Sequence, residues 1–119
     1  MIRGVRGATT VTEDLEGQIV EATGTLLEEM IKLNEINPND VASIFISVTE
    51  DLTATFPAKA LRSFDGWTYV PVMCMKEIPV PSALRKCIRI MIHLNTSKEQ
   101  NEIQHVYLEG ASSLRPDLK

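Results

Sequence analysis

Along residues 87–94 the chain reads Cys-Ile-Arg-Ile-Met-Ile-His-Leu, with side chains alternating in character at a period of two. Ile88, Ile90, Ile92 and Leu94 share one aliphatic face, while Cys87, Arg89, Met91 and His93 share the other, the pattern of a strand with one face in the core. Residues 2–11 lack helical periodicity and become β-branched toward their end. They predict a first strand in which Gly4 and Gly7 permit close backbone approach. Ile19, Ala22, Leu26, Met30 and Leu33 then recur at helical spacing; Thr12 offers a cap, and Glu13, Asp14 and Glu16 suit the positive end of that long helix. Asn37-Pro38-Asn39-Asp40 breaks the pattern. Residues 41–48 alternate again, nearly apolar on both faces, as in an interior strand.

The second half is more interrupted. Residues 49–55 read as polar loop, and residues 56–64 as a short helix with Pro57 in its first turn and Asp65-Gly66 as its stop. Residues 67–72 predict a third strand, which Pro71 assigns to a sheet edge or a strand end. After the strand at 87–94, Ser97 to Gln100 carries an S-x-x-Q capping pattern, and residues 104–108 predict a last strand. The order β-α-β-α-β-β-β describes an α/β (α+β) chain: one mixed sheet with one long and one short helix packed against it, forming a single domain over 1–119.

Composition narrows the function. A chain of 119 residues with a formal charge of -4 and no Lys/Arg-rich run is a poor nonspecific nucleic-acid binder. No apolar stretch approaches a membrane span, and the N-terminal residues lack a secretory apolar segment, so a cytoplasmic location is expected, with Cys74 and Cys87 reduced. His93 and His105 have no ligand spacing with each other or with the cysteines; no metal is expected. The motifs G-x-S-x-G, H-E-x-x-H, C-x-x-C and a glycine-rich phosphate loop are all missing, which argues against covalent and cofactor chemistry. What remains is Arg6, Lys59, Arg62, Cys74, Glu77, Arg89, Tyr107 and Arg115 at strand ends and loop starts. Several cations with one acid describe a site for a small anion. The guanidinium of Arg89, planar and permanently charged, needs an oxygen acceptor, and the residues leave two open: an internal acid such as Glu77, or an anionic ligand.

Seven segments carry a resemblance: Arg3 to Val11, Phe56-Pro57-Ala58-Lys59-Ala60, Val70-Pro71-Val72, Cys74-Met75, Cys87-Ile88-Arg89, His105-Val106-Tyr107-Leu108 and Leu114-Arg115-Pro116-Asp117-Leu118. Together, and in this order, they resemble the monofunctional chorismate mutases of the Bacillus type over essentially the whole chain. The resemblance implies a homotrimer built around a barrel-like core, with active sites between neighbouring subunits and no cofactor. It also implies rearrangement of chorismate to prephenate in aromatic amino-acid biosynthesis. Carried over by motif position, it implies that Arg89 reaches the ether oxygen and a carboxylate of the substrate, that Arg6 is a second donor, and that Glu77 accepts from the substrate hydroxyl with Cys74 beside it. Tyr107 would contact a carboxylate and Phe56 supply an apolar wall. Lys59, Arg62 and Arg115 would guard the mouth, with Val72, Met73 and Leu114 completing the lining. Met73 stands where family members often carry threonine, so only a backbone contact is expected there. Small trimeric enamine/imine deaminases with a strand arginine resemble this architecture less closely, because Arg6, Glu77 and the Arg-Pro-Asp tail favour the mutase. A protein that binds a carboxylate metabolite without turning it over is a third reading.

Overall fold

A computed structural model of the chain describes residues 1–114. Five strands form one mixed sheet: β1 (Ile2–Thr10), β2 (Val41–Val48), β3 (Val72–Lys76), β4 (Cys87–Asn95) and β5 (Val106–Tyr107), in the spatial order β3-β2-β4-β1-β5. β4 lies antiparallel to both β1 and β2, while β3 joins β2 and β5 joins β1 in parallel. The helix α1 (Glu16–Asn34) packs across one face. Among the described residues no helix is long and apolar enough to cross a membrane.

The alternation read from the sequence sets which face is covered. Ile88, Ile90, Ile92 and Leu94 of β4, Val5 of β1, and Ile44 and Ile46 of β2 meet Ile19, Leu26, Leu27 and Met30 of α1 in one buried cluster. Contact between α1 and β1 is close because Gly7 has no side chain. A Cβ there would lie 2.5 Å from Met30 Sδ and 3.0 Å from Leu26 Cδ1. The C-terminal end of α1 is tied down by the buried Asn34. Its Nδ2 donates to the carbonyls of Met30 and Gln104, and its Oδ1 accepts from the Gln104 N–H, so helix and the approach to β5 are joined through one side chain.

Several elements differ from the sequence reading. The helix begins at Glu16 with Leu15, not Thr12, at its cap position, because the neighbouring polar groups are occupied elsewhere. Gln18 Oε1 accepts from the Thr12 N–H, Thr12 hydroxyl and Glu13 N–H, and the Asp14 carboxylate accepts from Thr53 and Ala54. Leu27 takes a core position, whereas Leu33 is exposed. Residues 57–63 form a 3-10 helix, and the third strand starts beyond Pro71, after turns in which the Trp67 N–H bonds to Phe64 and the Val70 N–H to Trp67. Ala42 drops out of register at a bulge between Val41 and Ser43. The capping box belongs to Glu99 and Glu102, not to Ser97 and Gln100, and the last strand shrinks to two residues.

Candidate active site

The face of the sheet away from α1 is covered at one end, where Ala111 packs on Ala8 and Cys87, and leaves Phe45, Met73 and Met75 exposed toward the other. Register determines which side chains meet there. Arg89 is paired with Ala8 of β1 on one side and with Ser47 of β2 on the other. Arg6, two residues from Ala8, therefore projects to the same face as Arg89 from the neighbouring strand, and Tyr107, opposite Ala8 in β5, joins them. Arg6 Nε donates to the Tyr107 hydroxyl at 3.0 Å, while the Arg6 N–H is received by Nδ1 of His105 at 3.0 Å, fixing both ends of the residue.

Glu77 directly follows β3, with its N–H bonded to the Val48 carbonyl at 2.8 Å. Its Oε2 accepts from the Ser47 hydroxyl and lies 3.5 Å from Arg89 Nη1, so the guanidinium has a resident counter-ion. That contact is an ion pair in a wet setting, with 43% of the Arg89 side chain exposed, and it engages one of the guanidinium's two terminal nitrogens. Beside this group Leu114 and Tyr107 pack on a small cluster of Ala8, Cys87 and Ala111. Burial pushes the Cys87 thiol up to about 11, more than the neighbouring Arg89 charge can offset, which keeps it an unreactive apolar filler.

The remaining candidates lie elsewhere. Val72 and Cys74 occupy the alternate positions of β3, level with Ile44 and Ile46, and pack toward the helix-side core. Cys74 is thus on the other side of the sheet from Glu77's carboxylate. Phe56, Lys59 and Cys74 border a cavity of about 640 Å³, and Phe56, Lys59, Arg62 and Val72 border a second of about 550 Å³. Lys59 is bonded there to Glu16, holding that carboxyl below the usual range; Phe56 and Arg62 are exposed. Met73 is on the open face, level with Phe45 and largely exposed, where a thioether offers no hydrogen-bond donor. Arg115 lies outside the described residues. One chain therefore brings together Arg6, Glu77, Arg89, Tyr107 and Leu114, and holds Phe56, Lys59, Arg62, Val72 and Cys74 as a separate set beyond the sheet.

Two residues that hold the first set in place, Ser47 and His105, escaped the sequence reading. Ser47 had a visible signal, since it shares an alternating face with Val41, Ser43 and Phe45, but nothing local tied it to Glu77. His105 lay inside a quoted motif without a task, and its bond to the Arg6 main chain links residues from opposite ends of the chain.

The chain is similar to known proteins over nearly its whole length. The family model for chorismate mutase type I matches residues 2–118. A chorismate mutase of Bacillus subtilis is 52% identical over 118 residues, covering 99% of this chain and 93% of the relative. One from Thermus thermophilus is 44% identical over 120 residues, covering 100% and 98%. A solved chorismate mutase structure from Clostridium thermocellum superposes with a TM-score of 0.89 at 49% identity, covering 92% of this chain and 97% of its own. The chain belongs to the type I chorismate mutase family.

Proposed function

We propose that this chain rearranges chorismate to prephenate, as a cytoplasmic step of aromatic amino-acid biosynthesis, in clefts between the subunits of a homotrimer. The observation that carries the reading is the convergence of Arg6, Tyr107, Arg89 and Glu77 on one open sheet face of a chain in this family. The reaction is an intramolecular pericyclic shift and needs neither nucleophile nor general base. A site must hold a flexible dianion in a folded conformation and stabilise the negative charge that grows on the ether oxygen as its bond to carbon stretches. Arg89 meets the second need with a fixed fork of donors, and Arg6, steadied by Tyr107 and His105, meets part of the first. Glu77, anchored by Ser47, accepts from the substrate hydroxyl and orients the ring. A donor aimed at developing charge contributes about 3–4 kcal/mol, and a million-fold acceleration needs about 8 kcal/mol, so Arg89 supplies a large share and positioning much of the rest.

Two features support the trimer. Phe45, Met73 and Met75 are exposed on the same sheet face as the arginines, an apolar stretch of sheet that a second subunit would cover. The sheet also separates the two sets of candidate residues, so a neighbour's Phe56, Lys59 and Arg62 are needed to close a cleft over Arg89. Incubating the purified protein with chorismate and following its loss and the appearance of prephenate tests the reaction; folded protein that gives no acceleration over buffer would overturn it. Sedimentation equilibrium tests the assembly, with three chain masses expected and a stable active monomer refuting it.

A further inference from the structure

We infer that Ser47 is a positioning residue for Glu77, holding its carboxylate off Arg89 so that the guanidinium stays available to substrate. This deepens the functional reading above and rests on it.

Ser47 stands directly opposite Arg89 in the antiparallel β2/β4 pair, and β3 runs along the other edge of β2, so Ser47 lies between the strand that carries the cation and the strand that leads to the acid. Glu77 is fixed at its main chain by the Val48 carbonyl, but its side chain has three rotatable bonds and faces a permanent positive charge. Left alone, a carboxylate opposite a guanidinium closes into a bidentate pair. Here it does not: Arg89 Nη1 stays 3.5 Å from Oε2, and the directional bond to that same oxygen comes from the Ser47 hydroxyl. Among the described residues no hydrogen bond reaches Oε1. The hydroxyl therefore sets the carboxylate's rotamer and turns its free oxygen outward. The Ser47 bond occupies Oε2 and leaves Oε1 for the substrate hydroxyl, so it persists when substrate draws the guanidinium away.

Ser47→Ala removes the anchor and lets Glu77 fold onto Arg89. The expected result is a fall of about tenfold in kcat/KM for chorismate, the loss of one hydrogen bond to a charged group, with KM rising because substrate must displace a tighter resident pair. Ser47→Thr keeps the hydroxyl in a β-branched side chain suited to a strand and restores most of the loss. The deciding measurement is a double-mutant cycle with Glu77→Ala, with circular dichroism verifying that every variant is folded. In the Glu77→Ala background, Ser47→Ala should change nothing further. If Ser47→Ala retains parental kinetics while Glu77→Ala is impaired, the Ser47 inference fails and the role of Glu77 stands. Should the Ser47→Ala loss persist undiminished without Glu77, or Ser47→Thr fail to recover it, the residue acts otherwise and the inference is wrong. Full activity in Glu77→Ala would remove Glu77 from the site and the inference with it.

Discussion

Replacing Asn34 with alanine tests how the end of α1 holds the active face. The side chain makes three hydrogen bonds, two of them to the main chain of Gln104 and one to the Met30 carbonyl. Alanine strands the Gln104 N–H and C=O, each costing about 1–3 kcal/mol if left dry. Gln104 itself is exposed, so water reaches the freed groups and the lower part of the range applies, about 2–3 kcal/mol in all. Alanine's better helix propensity returns about 0.5 kcal/mol, leaving a net loss near 2 kcal/mol. With an unfolding entropy of about 2.1 cal/mol/K per residue, that lowers Tm by roughly 8 °C. Thermal melts at matched protein concentration measure it, since association shifts apparent stability. Asn34→Asp sharpens the test: it preserves the acceptor for Gln104 N–H but turns an oxygen toward the Met30 and Gln104 carbonyls, so it should lower Tm at least as far. A Tm within 2 °C of the parent for both variants would refute the reasoning.

Arg89→Lys should lower kcat by about a hundred- to a thousand-fold, since a point charge on a flexible stem does not reproduce the donor fork; near-parental kcat in a chorismate assay would remove Arg89 from its role. Gly7→Ala should destabilise by about 1–3 kcal/mol through overpacking against Met30 and Leu26, read as a lower urea midpoint, and Met30→Ala should relieve part of it. At Asp51, burial raises the carboxyl, but the Thr49 hydroxyl, the Lys86 N–H and the Arg85 charge outweigh it and hold the value below that of an ordinary aspartate. A depressed folded pKa contributes stability in full above the unfolded value of about 3.9, and the contribution is lost as pH falls through the folded value. Urea midpoints of the parent and Asp51→Asn should therefore differ at pH 7 and draw together progressively as pH falls below about 4; a gap independent of pH contradicts this.

Where one periodicity governed a whole element, the chain was readable. The β4 alternation predicted its core face residue by residue, and the α1 stripe erred mainly at its edge, where Leu27 replaces Leu33. Failures came where a residue had two possible partners. Thr12 and Asp14 look like helix caps, yet Gln18 and the 53–54 loop hold them instead, a tertiary competition that local pattern does not express. The stretch from Trp67 to Val72 has β-forming residues, but its backbone bonds close turns, and only after Pro71, whose carbonyl accepts the Ile44 N–H, does pairing begin. The candidate site was legible as residue types and by resemblance. Its division by the sheet was not, because the face of Cys74 relative to Glu77 depends on the register of β3 against β2. The residues left Arg89 either an internal acid or a ligand as partner, and the structure shows the acid: Glu77 lies 3.5 Å away with its carboxylate also bonded to Ser47.

The strand order β3-β2-β4-β1-β5 has a consequence for how the chain is made. β1 is the first described strand to be synthesised, yet its two sheet neighbours, β4 and β5, come from the last third of the chain. Until they emerge, its edges stay open, and its glycines, threonines and two arginines make a poor template for sticking to other chains. Closing such distant pairs demands a large loss of chain entropy before any contact rewards it, so folding should be slow. Arg6 and Arg89 meet once β4 pairs with β1, and Tyr107 joins them only with β5, so a nascent chain that stops short of β5 lacks both the finished sheet and the Tyr107 hydroxyl that holds Arg6.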